Sequence, residues 1–278
     1  MAREVSAARA GSVRVGDRSV HRMGLGTNRL TDTEPARALL RRAVELGVDF
    51  IDTADVYQSS ASETTIGNTL GSDARRVLVA TKGGMTRTPD GMGADGRPEY
   101  LRQTVEASLR RLRTDRIELY QLHRVDPKVS IETSVGALKE MQEAGRIHRI
   151  GVSNVTVEEI ERARRVATIV SVQNRYNFLE REQEKVLEYC EAHSIAFIPW
   201  TPIARGKLVE AKTLGEMAAR RGVTAQQLAL RWLLKRSPVI LPIPGTMSVA
   251  HLEENLAAAD IELSDDEFRQ LLMPAEIA

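Results

Sequence analysis

The sequence predicts an α/β fold: a (β/α)8 barrel of the TIM type, preceded by a short β-hairpin. Three observations lead there. Short apolar segments alternate with helical segments from Met23 to Ala258. The apolar segments show little polar alternation, so they read as parallel strands buried on both faces. Eight such strand–helix units follow one another, and about 250 residues is the usual size of one closed barrel. A doubly wound sheet is the alternative, but it would carry Gly-x-Gly-x-x-Gly after a strand. Gly24-Leu-Gly26 lacks the third glycine. No linker rich in Pro, Gly or Ser divides the chain, so residues 1–278 read as one domain.

The elements follow in order. Val13, Val15 and Val20 alternate around Gly16-Asp17, a hairpin over residues 12–21. Met23 to Thr27 is the first strand of the series. A helix follows from about Thr33, with Pro35 in its first turn and Leu39, Leu40, Ala43 and Val44 inward. Phe50 leads a strand to Asp52, and a helix runs through Ile66 to Gly71. Val77 to Thr81 and Ile117 to Leu122 are strands; Tyr100 to Leu112 and Ile131 to Ala144 are the helices behind them. Strands at Ile147–Val152, Ile169–Val172, Ile195–Trp200 and Val239–Ile243 complete the eight. Their helices open at Thr156 with Glu159 (a capping box), at about Glu180, at Thr213, at Thr224 with Gln227 (a second box), and at Val249. Ser264 with Glu267 caps a last helix over residues 264–272. The longest irregular piece, Gly83 to Pro98, reads as a mobile flap over the barrel mouth.

Bulk properties exclude several functions. A net charge of +1 with no long single-sign run argues against a nucleic-acid surface. No apolar run reaches the roughly 18 residues of a membrane span. Residues 1–10 lack the apolar core of a signal peptide. The single Cys190 rules out an internal disulfide and fits a reducing, cytoplasmic compartment.

The chemistry belongs at the carboxyl ends of the strands. Those positions carry Gly26-Thr27-Asn28, Asp52 with Tyr57, Lys82, His123, Ser153-Asn154, Gln173-Asn174, Trp200-Thr201 and Pro244-Gly245-Thr246. Taken singly, a strand-end His is an ordinary core residue and a strand-end Lys an ion-pair partner. Together they suggest more. A Tyr phenol, with an unperturbed pKa of about 10, is a poor acid unless its anion is stabilised. A Lys ammonium within reach does that, and a carboxylate behind the Lys holds it in place. An imidazole can orient a carbonyl oxygen. Such a set protonates a developing alkoxide, chemistry that usually begins with hydride delivery from a cofactor.

These motifs resemble the aldo-keto reductase superfamily. The matching residues are Asp52-Thr-Ala-Asp-Val-Tyr57, Thr81-Lys82, Leu122-His123, Gly151-Val-Ser153-Asn154, Gln173-Asn174, Trp200 to Gly206, and Ile243 to Asn255, covering Met23 to about Leu263. The resemblance implies an enzyme that reduces a small aldehyde or ketone with NADPH, NADH being the other candidate. It implies Tyr57 as proton donor, tuned by Lys82 and Asp52, with His123 orienting the carbonyl. Ser153, Asn154 and Gln173 would hold the nicotinamide carboxamide, and Trp200 would stack on the ring. Gly26, Thr27 and Asn28 would lie beside the cofactor. Thr201, Pro202, Ile203, Arg205 and Gly206 would wrap the pyrophosphate. Gly245 and Thr246 precede a helix N-terminus suited to the adenosine-side phosphate. Glu254 and Asn255 would contact adenine. His251 stands where many members place an Arg for the 2′-phosphate, so the resemblance implies a reduced NADPH preference. Two other readings compete: a non-enzymatic nicotinamide-binding sensor or channel-associated subunit on the same barrel, and an aldolase using Lys82 as a Schiff base.

Overall fold

The computed structural model describes residues 5–71, 76–88 and 91–272, without the side chains of residues 87, 88, 205, 209 and 210. Strands β1 (Ser12–Val15) and β2 (Arg18–His21) form the N-terminal hairpin, with Val13 opposite Val20. Its turn places Gly16 at φ +65, a conformation that costs glycine nothing. Strands β3 (Leu25–Gly26), β4 (Phe50–Asp52) and β5 (Leu78–Gly83) begin the main sheet. The next two, β6 (Met85–Thr88) and β7 (Gly91–Ala94), pair only with each other. The main sheet resumes with β8 (Ile117–Leu122), β9 (Ile147–Ser153), β10 (Ile169–Gln173) and β11 (Ala196–Phe197). Its seven strands are parallel, in the order β3-β4-β5-β8-β9-β10-β11.

The eighth strand position differs from the sequence expectation. Residues 239–245 form no ladder, only isolated parallel bridges: Phe197 with Ile240, and Gly26 with Gly245. Pro242 and Pro244 lack the N–H that a ladder needs. The hydrogen bonds that remain close the barrel. Leu241 N–H donates to Phe197 O at 2.9 Å and Gly24 N–H donates to Pro242 O at 3.0 Å.

Ten helices cover the outside among the described residues: α1 (Glu34–Glu45), α2 (Ala61–Leu70), α3 (Pro98–Leu112), α4 (Ile131–Glu143), α5 (Val157–Arg164), α6 (Glu184–Ala192), α7 (Lys212–Arg221), α8 (Ala225–Arg236), α9 (Val249–Ala257) and α10 (Asp265–Leu272). Both expected capping boxes are present, at Thr156 with Glu159 and Thr224 with Gln227. The helix expected from about Glu180 starts at Glu184. The Asn177 carboxamide oxygen instead accepts from the Leu179 and Glu180 N–H groups and holds a turn. The irregular flap expected between Gly83 and Pro98 is largely the β6–β7 ribbon. The Tyr100 hydroxyl of α3 donates to Met85 O at 2.9 Å and ties the ribbon down.

The barrel interior is layered, and the period of two along each strand sets the layers. Phe50, Leu78, Ala80 and Leu119 form a lower apolar layer with Ala196, Ile198, Leu241 and Ile243. Val13, Val15 and Val20 of the hairpin belong to the same cluster and plug the lower end. Two residues further along each strand, the same inward row carries Asp52 after Phe50, Lys82 after Ala80 and Gln121 after Leu119. The rows at Ser171 and Gly151 are crowded. A Cβ at Gly151 would lie 2.2 Å from the Ser171 hydroxyl, so only glycine fits.

Arg22 holds the closure. Its guanidinium donates to Ile240 O at 3.1 Å, to Leu234 O at 2.8 Å, and to Ser237 O. These carbonyls surround the C-terminal end of α8, where a cation complements the helix dipole. Burial, with Arg231 nearby, pulls the Arg22 pKa down to about 10. Arg22→Leu removes the guanidinium donor from three carbonyls, of which Ser237 O keeps only the Ile240 N–H at 3.4 Å. The expected loss is about 2–4 kcal/mol of stability, read as a lower urea midpoint. A loss under about 1 kcal/mol would mean that water replaces the guanidinium.

Candidate active site

Four side chains converge at the mouth, Asp52, Lys82 and His123 from the ends of β4, β5 and β8 and Tyr57 from the loop after β4. Lys82 Nζ donates to Asp52 Oδ2 at 2.8 Å, to Thr53 O at 2.7 Å and to the Tyr57 hydroxyl at 3.3 Å. The Tyr57 and His123 rings meet edge to face, with centroids 5.9 Å apart. Lys82 is fully buried and Asp52 is 2% exposed. A buried charge of this kind persists only when it is paired and hydrogen-bonded.

The electrostatics follow from burial and one cation. Burial pushes the Tyr57 phenol above its ordinary value, while the Lys82 ammonium pulls it back. The resting phenol therefore keeps its proton. Burial alone would lower Lys82, but Asp52 and Tyr57 outweigh it and hold the amine above its ordinary value. Burial, then Lys82 and Arg124, drive His123 well below 6.5, so the imidazole is neutral. Its Nδ1 is buried and has no partner.

The loop carrying Tyr57 is strained. Gln58, Ser59 and Ser60 take φ of +50, +54 and +74 in succession. Left-handed non-glycine residues cost roughly 1–2 kcal/mol each. Gln58 Nε2 donates to Asn28 O at 3.0 Å and the Ser60 hydroxyl to Asp55 O at 2.7 Å, which holds the loop in place.

The chain matches the Aldo/keto reductase family over residues 22–272. It belongs to that family. An uncharacterized oxidoreductase of Schizosaccharomyces pombe is 45% identical over 278 residues, covering 96% of this chain and 90% of the relative. The pyridoxine 4-dehydrogenase of Escherichia coli is 36% identical over 268 residues, covering 91% and 94%. Among solved structures, an aldo/keto reductase from Klebsiella pneumoniae in complex with NADP and acetate superposes with a TM-score of 0.84. It is 30% identical, covering 95% of each chain. The protein is thus an aldo-keto reductase family oxidoreductase built on the (β/α)8 barrel.

A second group of residues continues the network on the other side of Asp52. Gln173 Nε2 donates to Asp52 Oδ1 at 2.8 Å. The Ser153 hydroxyl donates to Gln173 O at 2.7 Å, and Asn154 Nδ2 donates to Ser153 Oγ and to His123 O, each at 3.0 Å. Asn154 is itself left-handed at φ +57, and Trp200 Nε1 donates to its Oδ1 at 3.1 Å. The Arg175 guanidinium carbon lies 5.4 Å from the Trp200 ring centroid. Thr27 is engaged inward: its hydroxyl donates to Asp52 O at 2.8 Å and meets the Ser62 hydroxyl.

The remaining family positions do not join that network. Thr201 and Ala204 are left-handed at φ +55 and +48, Gly206 at +87, and the Thr201 hydroxyl is buried without a partner. Pro202 is buried and Ile203 half-buried beside them. The Arg205 side chain lies outside the described residues. Gly26 pairs with Gly245, and Thr246 Oγ1 accepts from Ser248 N–H at 3.0 Å just before α9. Ser248 caps α9, accepting from the His251 N–H at 3.4 Å, and the His251 side chain is exposed. Glu254 is tied to α8: its Oε1 accepts from the Thr224 hydroxyl at 2.8 Å. Asn255 is 6% exposed.

Three features escaped the sequence reading. The Gln173–Asp52 bond joins strands far apart in the chain, so no spacing announces it. Arg29 reaches Gly245 O at 3.5 Å, and only the barrel's closure brings them together. Glu63, buried inside α2, accepts from the Thr81 hydroxyl at 2.5 Å and from Arg111 at 2.6 Å. A carboxylate on the inward face of a helix was the available signal.

Proposed function

We propose that the protein reduces aldehydes or ketones in the cytoplasm with a nicotinamide cofactor, preferring NADPH, and that Tyr57 is the proton donor. The observation that carries this is the buried Asp52–Lys82–Tyr57 chain with the neutral His123 against it. The site also suits the cofactor: the Thr201 hydroxyl is buried and unpartnered, and α9 opens shortly after Gly245. Binding of NADP and NADPH by Klebsiella pneumoniae relatives supports the same reading. Ser153, Asn154 and Gln173 would orient the carboxamide, and Trp200 would lie against the ring. Thr201, Gly206 and Thr246 would surround the phosphates, with His251, Glu254 and Asn255 toward the adenosine end. When bound, the nicotinamide supplies a hydride to the carbonyl carbon.

The chain's residues do the rest. As negative charge grows on the carbonyl oxygen, the Tyr57 phenol gives it a proton. The Lys82 ammonium, held by Asp52 and Thr53 O, stabilises the phenolate left behind. The neutral His123 offers a ring N–H to the same oxygen rather than a second charge. A Schiff-base role for Lys82 fits poorly, because a base paired with Asp52 keeps its proton. A binding-only sensor would have no need of the strained Tyr57 loop. The test is a carbonyl panel, pyridoxal included because of the Escherichia coli relative, with NADPH and NADH followed at the nicotinamide absorbance. No turnover of any carbonyl, with tight NADPH binding, would favour the sensor.

Cofactor choice gives a separate expectation. His251→Arg places a guanidinium fork in the first turn of α9, where a phosphate can meet both. NADPH should bind more tightly by roughly 1–2 kcal/mol, with NADH nearly unchanged. Dissociation constants for both cofactors, in wild type and variant, decide it. Equal tightening of both would mean that the side chain does not face the 2′ position.

A further inference from the structure

Outside the catalytic set, Asp55 is a carboxylate with no ion-pair partner among the described residues. It is 6% exposed, and its Oδ1 is buried with no hydrogen-bond partner. It lines an open cleft of about 440 Å³ between the Tyr57 loop, strand β6 and α3, lined also by Ser60, Thr86, Tyr100, Gln103 and Arg111. Such a volume accommodates a small molecule. The cations near Asp55 are already engaged. Arg111 is paired with Glu63 at 2.6 Å, and Lys82 with Asp52 at 2.8 Å. The titratable and charged groups facing Asp55 among the described residues are Tyr57 of its own loop, Glu63 of α2, Arg111 and Tyr100 of α3, Lys82 of β5 and Tyr120 of β8.

The polar lining is mixed: Gln103 and Thr86 can donate or accept, and Arg111 donates. The Tyr100 hydroxyl donates to Met85 O, and the Ser60 hydroxyl donates to Asp55 O. With its hydrogen engaged, the Ser60 hydroxyl is left as an acceptor, whereas the Tyr100 hydroxyl also meets Thr86. A small ligand with an ammonium group for the Asp55 carboxylate and a hydroxyl that both donates and accepts matches this lining.

We propose that this cleft is a binding site for a small hydroxylated ammonium ion, with Asp55 as its counter-ion. Tyr57, Lys82 and His123 are not among the residues lining the cleft, and the proposal does not rest on the reductase reading. Burial and the Glu63 carboxylate raise Asp55 to about 7. Binding should therefore strengthen as the pH rises through neutrality. Between pH 6 and pH 8 the ionised fraction rises by a factor of about ten, and the apparent affinity should follow it.

The experiment titrates the full-length protein with ethanolammonium chloride at constant ionic strength, reading the amide resonances of Asp55, Val56 and Ser60. The expected result is a saturable shift whose midpoint falls about ten-fold from pH 6 to pH 8. Glycerol, a neutral hydroxylated probe, should produce no saturation. Asp55→Asn, nearly isosteric and free of the buried charge, should melt as wild type does and lose the saturable shift. Should that variant fold poorly, Tyr100→Phe removes one acceptor and should weaken ethanolammonium several-fold. Absence of saturation in the wild type overturns the proposal. So does glycerol binding as tightly, or ethanolammonium binding that both variants leave unchanged. Carbonyl turnover is measured separately, so failure here leaves the reductase reading standing, and the reverse.

Discussion

Tyr57→Phe is expected to reduce carbonyl turnover by ~10²–10⁴, the usual cost of removing a general acid. The ring remains, so its edge-to-face contact with His123 and its place over Lys82 persist. The protein should fold and bind NADPH as before. The loss should therefore appear in kcat, with the cofactor dissociation constant close to that of wild type, because the phenol acts on charge that develops only in the transition state. Steady-state kinetics beside fluorescence titration of NADPH separate the two. Near-normal kcat in the pure variant would remove Tyr57 from the role. A parallel loss of NADPH binding would mean that the ring supports the pocket rather than the chemistry.

Lys82→Met is expected to harm both activity and stability. The Tyr57 phenolate loses the only ammonium in contact with it among the described residues, at 3.3 Å. Turnover should fall at least as far as in the Tyr57 variant. Stability should fall by roughly 3–5 kcal/mol, because Asp52 is left buried without its partner. Gln173 still donates to Asp52 Oδ1, and one neutral amide does not replace an ammonium. The double variant Asp52→Asn with Lys82→Met removes both charges. It should recover much of the stability and none of the activity. Urea unfolding of the two single variants and the double variant gives the coupling energy. Additive losses would show that the pair is not coupled, and recovered turnover in the double variant would show that Lys82 serves packing alone.

Much of the fold was legible because its signals are local. Apolar segments such as Val77–Ala80 and the capping residues Thr156 and Thr224 mark strands and helix starts by side-chain chemistry within a few residues. The inward row Leu78, Ala80, Lys82 follows from the strand period, so a polar residue at the end of an apolar row already pointed to the barrel mouth. The boundaries that moved were ruled by neighbours. Asn177 captured two N–H groups and delayed α6. The β6–β7 ribbon forms because its two arms find each other, in a stretch that lacks strong strand propensity.

What the sequence by itself determined is the order of the elements, the face each presents inward, and the residue types that reach the mouth. Each of these depends on interactions within one turn or one strand. Only the tertiary structure decided which of those residues touch. It joined Asp52 to Lys82, and to Gln173 121 positions away in the chain. It closed the barrel through bridges beside two prolines rather than through an eighth ladder. It engaged Arg111 with Glu63 and left the buried Asp55 Oδ1 without a hydrogen-bond partner among the described residues. The reason is physical: partner choice in a buried site depends on distance and desolvation between strands brought together by closure, and neither quantity is written in the spacing of residues along the chain.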